Sequence, residues 1–166
     1  MTIAKGERVP HAQLTVMSEA GPKPVDAAEL MAHGTTVLFA VPGAFTPTCS
    51  AQHLPGYIEH ADELLGSGVD RIVCMAVNDI FVMHAWAKSA GADERIVMAA
   101  DGNADLTHAF GLQMDGRAFG MGQRCQRFAL IVHDGNIDGV FIEAPGEFHV
   151  SSAEYVLAQL PDRPGA

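Results

Sequence analysis

Basic residues are scarce in this chain: 10 lysines and arginines stand against 20 aspartates and glutamates, a formal charge of −10 over 166 residues. A nucleic acid or an anionic membrane would be repelled at long range, so neither is an expected partner. Long apolar runs are missing too; none approaches the roughly 18 residues that a spanning helix needs. The opening MTIAKGERVP has a lysine and an arginine but no apolar signal-peptide core and no small-residue cleavage site, so a cytoplasmic setting is expected. Cysteine is rare. The three present, Cys49, Cys74 and Cys125, form no C-x-x-C pair and are odd in number, which argues against a disulfide framework and a zinc site. The eight histidines form no HExxH motif and no His/Cys cluster at ligand spacing, so no metal is expected. These exclusions leave an acidic globular protein with free or reactive thiols.

Apolar residues make up 48% of the chain and charged residues 18%, an ordinary globular composition, and the length suits one domain over 1–166. No internal repeat or linker-like stretch divides it. HAQLTVM (11–17) reads as an early strand, EAGPKP as a turn-rich connection, and Asp26-x-x-Glu29 as the capping box of a short helix. TTVLFAV (35–41), RIVCMAV (71–77) and RIVMAA (95–100) are nearly continuous apolar runs, as expected of strands covered on both faces. Helical stretches lie between them: 49–65, with a break expected at Pro55, and Asp79 to Ala90, stopping before Gly91. A short helix over 106–110 precedes RFALIVHDGNIDGVFIEAP, two alternating runs around DGN that predict an antiparallel hairpin. Ser151-x-x-Glu154 is expected to cap a last helix. A βαβ beginning and a ββα ending predict an α/β fold of the thioredoxin type, a central mixed β-sheet flanked by helices on both faces. A flavodoxin-like sheet is the main rival, and the late hairpin speaks against it.

VPGAFTPTCS (41–50) places Cys49 where a strand ends. If a helix begins near Pro47 or Thr48, the thiol lies in its first turn, where free backbone N–H groups and the positive end of the dipole favour a thiolate. Proline suits that position because its missing N–H costs little there. Thr46 offers a hydroxyl that can donate toward a substrate oxygen. Local chemistry leaves two readings open, a reactive thiol and an inert buried cysteine beside a helix cap.

The order P-x-x-x-T-x-x-C, here Pro42, Thr46 and Cys49, resembles the active-site motif of the peroxiredoxins. PGAFTPTCS with HLPGY (53–57), VCMAVNDIFVMHAWAK (73–88) and RCQRFALIVHDG (124–135) is similar to the type-five, or type II, subfamily over most of the chain. The resemblance implies that Cys49 attacks the peroxide O–O bond and becomes a sulfenic acid. Thr46 and the backbone N–H groups of Thr48 and Cys49 would hold the peroxide oxygens, and Pro42 would shield the sulfur. The family's arginine matches Arg127, whose guanidinium fork would touch both thiolate and peroxide. Arg124, on the opposite strand face if alternation holds, is the second candidate, for bracing the loop or a surface carboxylate. Phe45 and Phe119, with Met121, would form an apolar collar, and Phe45 is equally explicable as core. His53, one helical turn after Cys49, would bond locally or adjust the thiolate. Trp86 is expected in the core or at a dimer surface.

Animal members carry a resolving cysteine near the last helix; here that region has Ser151 and Ser152. The sulfenic acid then falls to Cys74, Cys125 or an external thiol. Cys74 reads as a small buried hydrophobe. Cys125 lies between two arginines, which would favour its thiolate if exposed, and on alternation it would share a face with Arg127, but the motif gives it no role and an incidental surface or packing cysteine is the plainer reading. The resemblance implies no bound cofactor, a hydroperoxide substrate, regeneration by glutathione and glutaredoxin (alternatively thioredoxin), and a homodimer. A redox sensor or holdase, and a cysteine hydrolase with a histidine base, are the readings of other classes.

Overall fold

The computed structural model describes residues 1–161; the last five residues of the expected 1–166 domain lie outside the described residues. The apolar runs become the middle of one sheet: β3 (Thr35–Ala40), β4 (Arg71–Ala76) and β5 (Ile96–Ala100) run parallel. β1 (Gln13–Ser18) joins β5 antiparallel, and β2 (Gly21–Asp26) folds back on β1 as the edge. On the other side β8 (Phe128–His133) lies antiparallel to β3, and β9 (Asn136–Ile142) closes the hairpin. The order is β2-β1-β5-β4-β3-β8-β9. This is the mixed thioredoxin-like sheet that the pattern predicts.

Alternate residues of β3 sort the core into two halves. Val37 and Phe39 pack with Ile72, Cys74, Tyr57 and Trp86 on one face. Leu38 and Ala40 pack with Val73, Met75, Phe110 and Phe128 on the other. The first face is covered by α2 (Leu54–Glu59), α3 (Ala61–Gly66), α4 (Ile80–Ala90) and α6 (Ala153–Gln159), the second by α1 (Ala27–Leu30) and α5 (Asp105–Phe110). Residues buried on both sides have no polar alternation to show, which is why these strands read as continuous apolar runs. Trp86 is core, with Nε1 donating to Ser50 Oγ at 3.0 Å.

Several local expectations change. EAGPKP continues as the strand β2, whose two prolines are tolerated because it is an edge. The helical stretch after Cys49 does not break at Pro55. A π-helical turn over Cys49–His53 precedes α2, with the Leu54 N–H donating to the Cys49 carbonyl. Pro55 then falls in the first turn of α2, and the interruption comes at His60. In a regular α-helix its ring would press on the Ala51 carbonyl and leave it without a donor; the wider turn avoids this. The predicted DGN turn is a two-residue loop, Asp134–Gly135, with φ of 49° and 80°, the left-handed pair that a type I′ hairpin requires. The last helix is capped by Ser152, not Ser151: Ser152 Oγ accepts from the Tyr155 N–H at 3.2 Å, while Ser151 turns inward.

Candidate active site

The strand β3 delivers residues 41–46 to the edge where the thiol sits. The Val41 N–H still donates to Met75 O, extending the sheet by one bond, and the Ala44 N–H then donates to Asn78 Oδ1 at 2.9 Å. Thr46 Oγ donates to Gly43 O at 2.7 Å, and the Ser50 N–H donates to Thr46 O at 2.9 Å, the first bond of the helix. Pro47 is therefore the first helical residue, and the Thr48 and Cys49 N–H groups belong to the first turn, where no intrahelical acceptor exists. Gly43 leaves room for Arg124: a Cβ there would lie 2.8 Å from Arg124 Nη1 and would push the guanidinium aside.

Cys49 is fully buried, and Arg127 reaches it from the loop before β8. Arg127 Nη2 donates to Cys49 Sγ at 3.1 Å, and Nη1 lies 2.8 Å from His53 Nδ1. The guanidinium carbon stands 5.9 Å from the centre of the Phe148 ring. Among the described residues no carboxylate pairs with Arg127, so its charge is left to the sulfur. A donor of full positive charge strengthens its bond as the sulfur becomes anionic. Pro42, Thr48 and Arg127 open into a cavity of about 390 Å³ that Met114, Ala144 and Pro145 make largely apolar.

His53 is buried, and its Nε2 lies 3.0 Å from the Ser151 carbonyl, which also accepts from Tyr57 Oη at 2.8 Å. Burial, and then the Arg127 charge, push the His53 imidazole down to about 3, so it is neutral. Glu143 anchors the loop that carries Ser151, accepting from the His149 N–H at 2.6 Å, the Ser151 N–H at 2.8 Å and Ser151 Oγ at 2.7 Å. Burial pushes its carboxyl upward, but these bonds outweigh it and hold the group below the usual carboxylate range. Glu143 and Phe148 had no visible signal in the sequence, because they reach the site only through the fold. The pair Ser151-Ser152 was the one hint, and it reads as a cap.

Three expectations are corrected. Phe45 and Phe119 do not line the cavity: they are 54% and 81% exposed, and Phe45 is not core either. Phe45 has φ 64°, a left-handed conformation that turns its side chain out of the loop, and Phe119 ends a short 3₁₀ turn. Arg124 and Arg127 do not share a strand, because β6 (Gln113–Asp115) and β7 (Gln123–Cys125) form a separate two-stranded sheet and the Gln126 N–H leaves to bond Leu112 O. Arg124 donates to Met121 O at 2.9 Å and Pro42 O at 3.3 Å, tying the active-site loop down.

Cys125 is neither exposed nor on the Arg127 side, since alternation stops where β7 ends. It is buried in the core half opposite Cys49, donating to Val41 O at 3.1 Å, and burial, with a contribution from Asp101, pushes its thiol up to about 12. Cys74 is buried in the same half as Cys49, and burial pushes its thiol well above the usual range. Among the described residues no group of histidines, cysteines and carboxylates is placed to hold a metal, and no helix is long and apolar enough to cross a membrane.

A thioredoxin-like sheet that presents a buried cysteine at a strand end, in the first turn of a helix and bonded by an arginine, defines a redoxin, a class built for thiol chemistry. The Redoxin family model matches residues 4–157. Peroxiredoxin-2E-2, chloroplastic, of Oryza sativa subsp. japonica is 48% identical over 96% of this chain and 73% of its own length. Peroxiredoxin-2B of Arabidopsis thaliana is 43% identical over 95% of this chain and 98% of its own. Reduced Prx3 of Vibrio vulnificus, solved in complex with hydrogen peroxide, is 49% identical with a TM-score of 0.92, covering 95% of this chain and 99% of that one. The chain belongs to the peroxiredoxin family of thiol peroxidases.

Proposed function

We propose that this peroxiredoxin is of the type-five (type II) kind, acting in the cytoplasm as a one-cysteine peroxidase that reduces hydrogen peroxide and small organic hydroperoxides and is regenerated by glutathione and glutaredoxin. The observation that carries the reading is the 3.1 Å bond from Arg127 Nη2 to Cys49 Sγ. The Cys49 thiolate attacks one peroxide oxygen, an S–O bond forms as the O–O bond breaks, and the leaving oxygen departs as water or alcohol once it has taken a proton. Arg127 and the first-turn N–H groups of Thr48 and Cys49 meet the charge that moves onto the leaving oxygen. Thr46 Oγ, which donates to Gly43 O at rest, exchanges that bond for one to the peroxide. Pro42 stands at the cavity wall and limits water at the sulfur.

Resolution by an external thiol is supported by the other two cysteines. Both are fully buried with thiols pushed upward by burial, a poor setting for attack on a sulfenic acid. Glutathione adds its sulfur to the Cys49 sulfenic acid with loss of water, and glutaredoxin then takes up the glutathione from the mixed disulfide. A histidine-based hydrolase is disfavoured, because His53 spends its free nitrogen on Arg127 and is too weak a base at neutral pH.

The test is steady-state peroxide consumption by wild type and by Cys49→Ser, Cys74→Ser and Cys125→Ser, driven separately by glutathione with glutaredoxin and by thioredoxin. Cys49→Ser alone should abolish turnover, and the glutathione system should sustain it. Loss of turnover in Cys74→Ser or Cys125→Ser, with thioredoxin sufficient, would assign that cysteine as resolving thiol. No sustained turnover with any reductant would favour a sensor or holdase.

The same reading includes a homodimer. Phe45, Phe81 and Phe119 are exposed at 54%, 64% and 81%, large apolar groups more costly to hydrate than to bury against a second copy. Analytical ultracentrifugation should give twice the 17.6 kDa chain mass, shifting to the monomer mass in Phe45→Asp/Phe119→Asp; a monomeric wild type sinks the idea.

A further inference from the structure

His53 makes two hydrogen bonds of opposite sense. Its Nε2 faces the Ser151 carbonyl at 3.0 Å, and a carbonyl only accepts, so Nε2 carries the proton. Nδ1 is then a bare lone pair, and it faces Arg127 Nη1 at 2.8 Å, a group that only donates. The two partners together leave one tautomer. The ring is also enclosed: Phe39, Tyr57 and Phe148 have their ring centres 5.0, 5.6 and 5.0 Å away. The Ser151 carbonyl does not drift, because Glu143 grips the Ser151 N–H and hydroxyl and Tyr57 shares the same oxygen.

A guanidinium is planar and rigid, so fixing one nitrogen fixes the others. Arg127 holds His53 through Nη1 and Cys49 through Nη2. We propose that His53 is a positioning residue of the peroxidase reaction, its Nδ1 lone pair, locked by the Ser151 carbonyl, aiming Arg127 Nη2 at the Cys49 sulfur. A carboxylate in the same place would orient Arg127 equally well but would take up its charge. A neutral acceptor orients the guanidinium and leaves the charge for the thiolate and the departing oxygen. The inference rests on the peroxidase reading and extends the site from a cysteine and an arginine to the loop held by Glu143.

Stopped-flow oxidation of Cys49 by hydrogen peroxide tests it, in wild type, His53→Asn, His53→Gln, Arg127→Ala and the His53→Gln/Arg127→Ala double variant. An asparagine amide places its oxygen near the Nδ1 position and keeps the acceptor; a glutamine reaches the Nε2 position and keeps only the bond to Ser151. His53→Gln should therefore slow oxidation by about tenfold, the value of one hydrogen bond to a charged group. His53→Asn should stay within about threefold of wild type, and His53→Gln should cost nothing further once Arg127 is alanine. A residue that only braced the fold would give the reverse order, or an undiminished loss in the Arg127→Ala background, and either overturns the proposal.

A second measurement needs no His53 variant. NMR of the wild type with isotope-labelled histidine should show, at neutral pH, one histidine protonated at Nε2 alone whose ring nitrogens shift in Arg127→Lys. A His53 protonated at Nδ1 overturns the proposal. Failure of the peroxidase reading has a different signature: wild-type Cys49 then does not react with peroxide at all. A normal reaction indifferent to His53 overturns this proposal alone.

Discussion

Arg127→Ala is expected to slow the attack of Cys49 on hydrogen peroxide by about 10²–10³-fold, the cost of removing one preorganised donor from a site where charge develops. Two effects act together. The sulfur loses its 3.1 Å donor, and the leaving oxygen loses a cation. Among the described residues no other cation donates to Cys49: Arg124 is committed to Met121 O and Pro42 O. Arg127→Lys keeps the charge but loses the rigid planar fork whose two nitrogens meet His53 and Cys49, and should fall between wild type and alanine. Pseudo-first-order oxidation of the thiol across peroxide concentrations reads this directly. An unchanged second-order rate constant would remove Arg127 from the chemistry.

Acid should destabilise the fold well before ordinary carboxylates titrate, and His53 is the reason. The imidazole is neutral in the folded state down to about 3, whereas in the unfolded chain it takes a proton near its usual value of about 6.5. Between these limits the unfolded state binds more protons, so stability falls as pH falls, with a slope approaching about 1.4 kcal/mol per pH unit from this group. Glu143 acts in the same direction lower down: its carboxyl is held below the usual range, and the stability it contributes is lost as pH falls through that lowered value. Denaturant unfolding measured from pH 7 to pH 4 checks this, with His53→Asn as the control that removes the titrating ring. The variant should show a shallower acid limb. Equal slopes in the two proteins would mean that His53 is not held neutral in the fold.

Much of this site is legible in the sequence. Cys49, Thr46 and Pro42 lie within one ten-residue loop, and the chemistry of a thiol in the first turn of a helix follows from local geometry. The central strands were legible because burial on both faces leaves unbroken apolar runs, and α4 because Asp79 and Gly91 mark its ends. The arginine was found by resemblance, from its place before FALIV. Its partner was not: that Nη1 faces His53 depends on the meeting of the π-helical turn with the loop before β8.

What the chain by itself determined is what depends on neighbours in sequence: periodicity, turn chemistry, caps and the crowded loop around the thiol. What only the tertiary structure decided is which distant groups share a face and which way they point. Alternation placed Cys125 beside Arg127, but β7 ends between them and sends the cysteine to the opposite core half. The collar of Phe45 and Phe119 dissolved because one left-handed residue and one short turn direct both rings outward. Ser151 looked like a cap and became the carbonyl that orients His53, drawn inward by a buried glutamate eight residues earlier. Local rules constrain the backbone within a few residues, whereas a hydrogen bond spanning 78 residues, such as that from Arg127 to Cys49, exists only once the sheet has brought its two ends together.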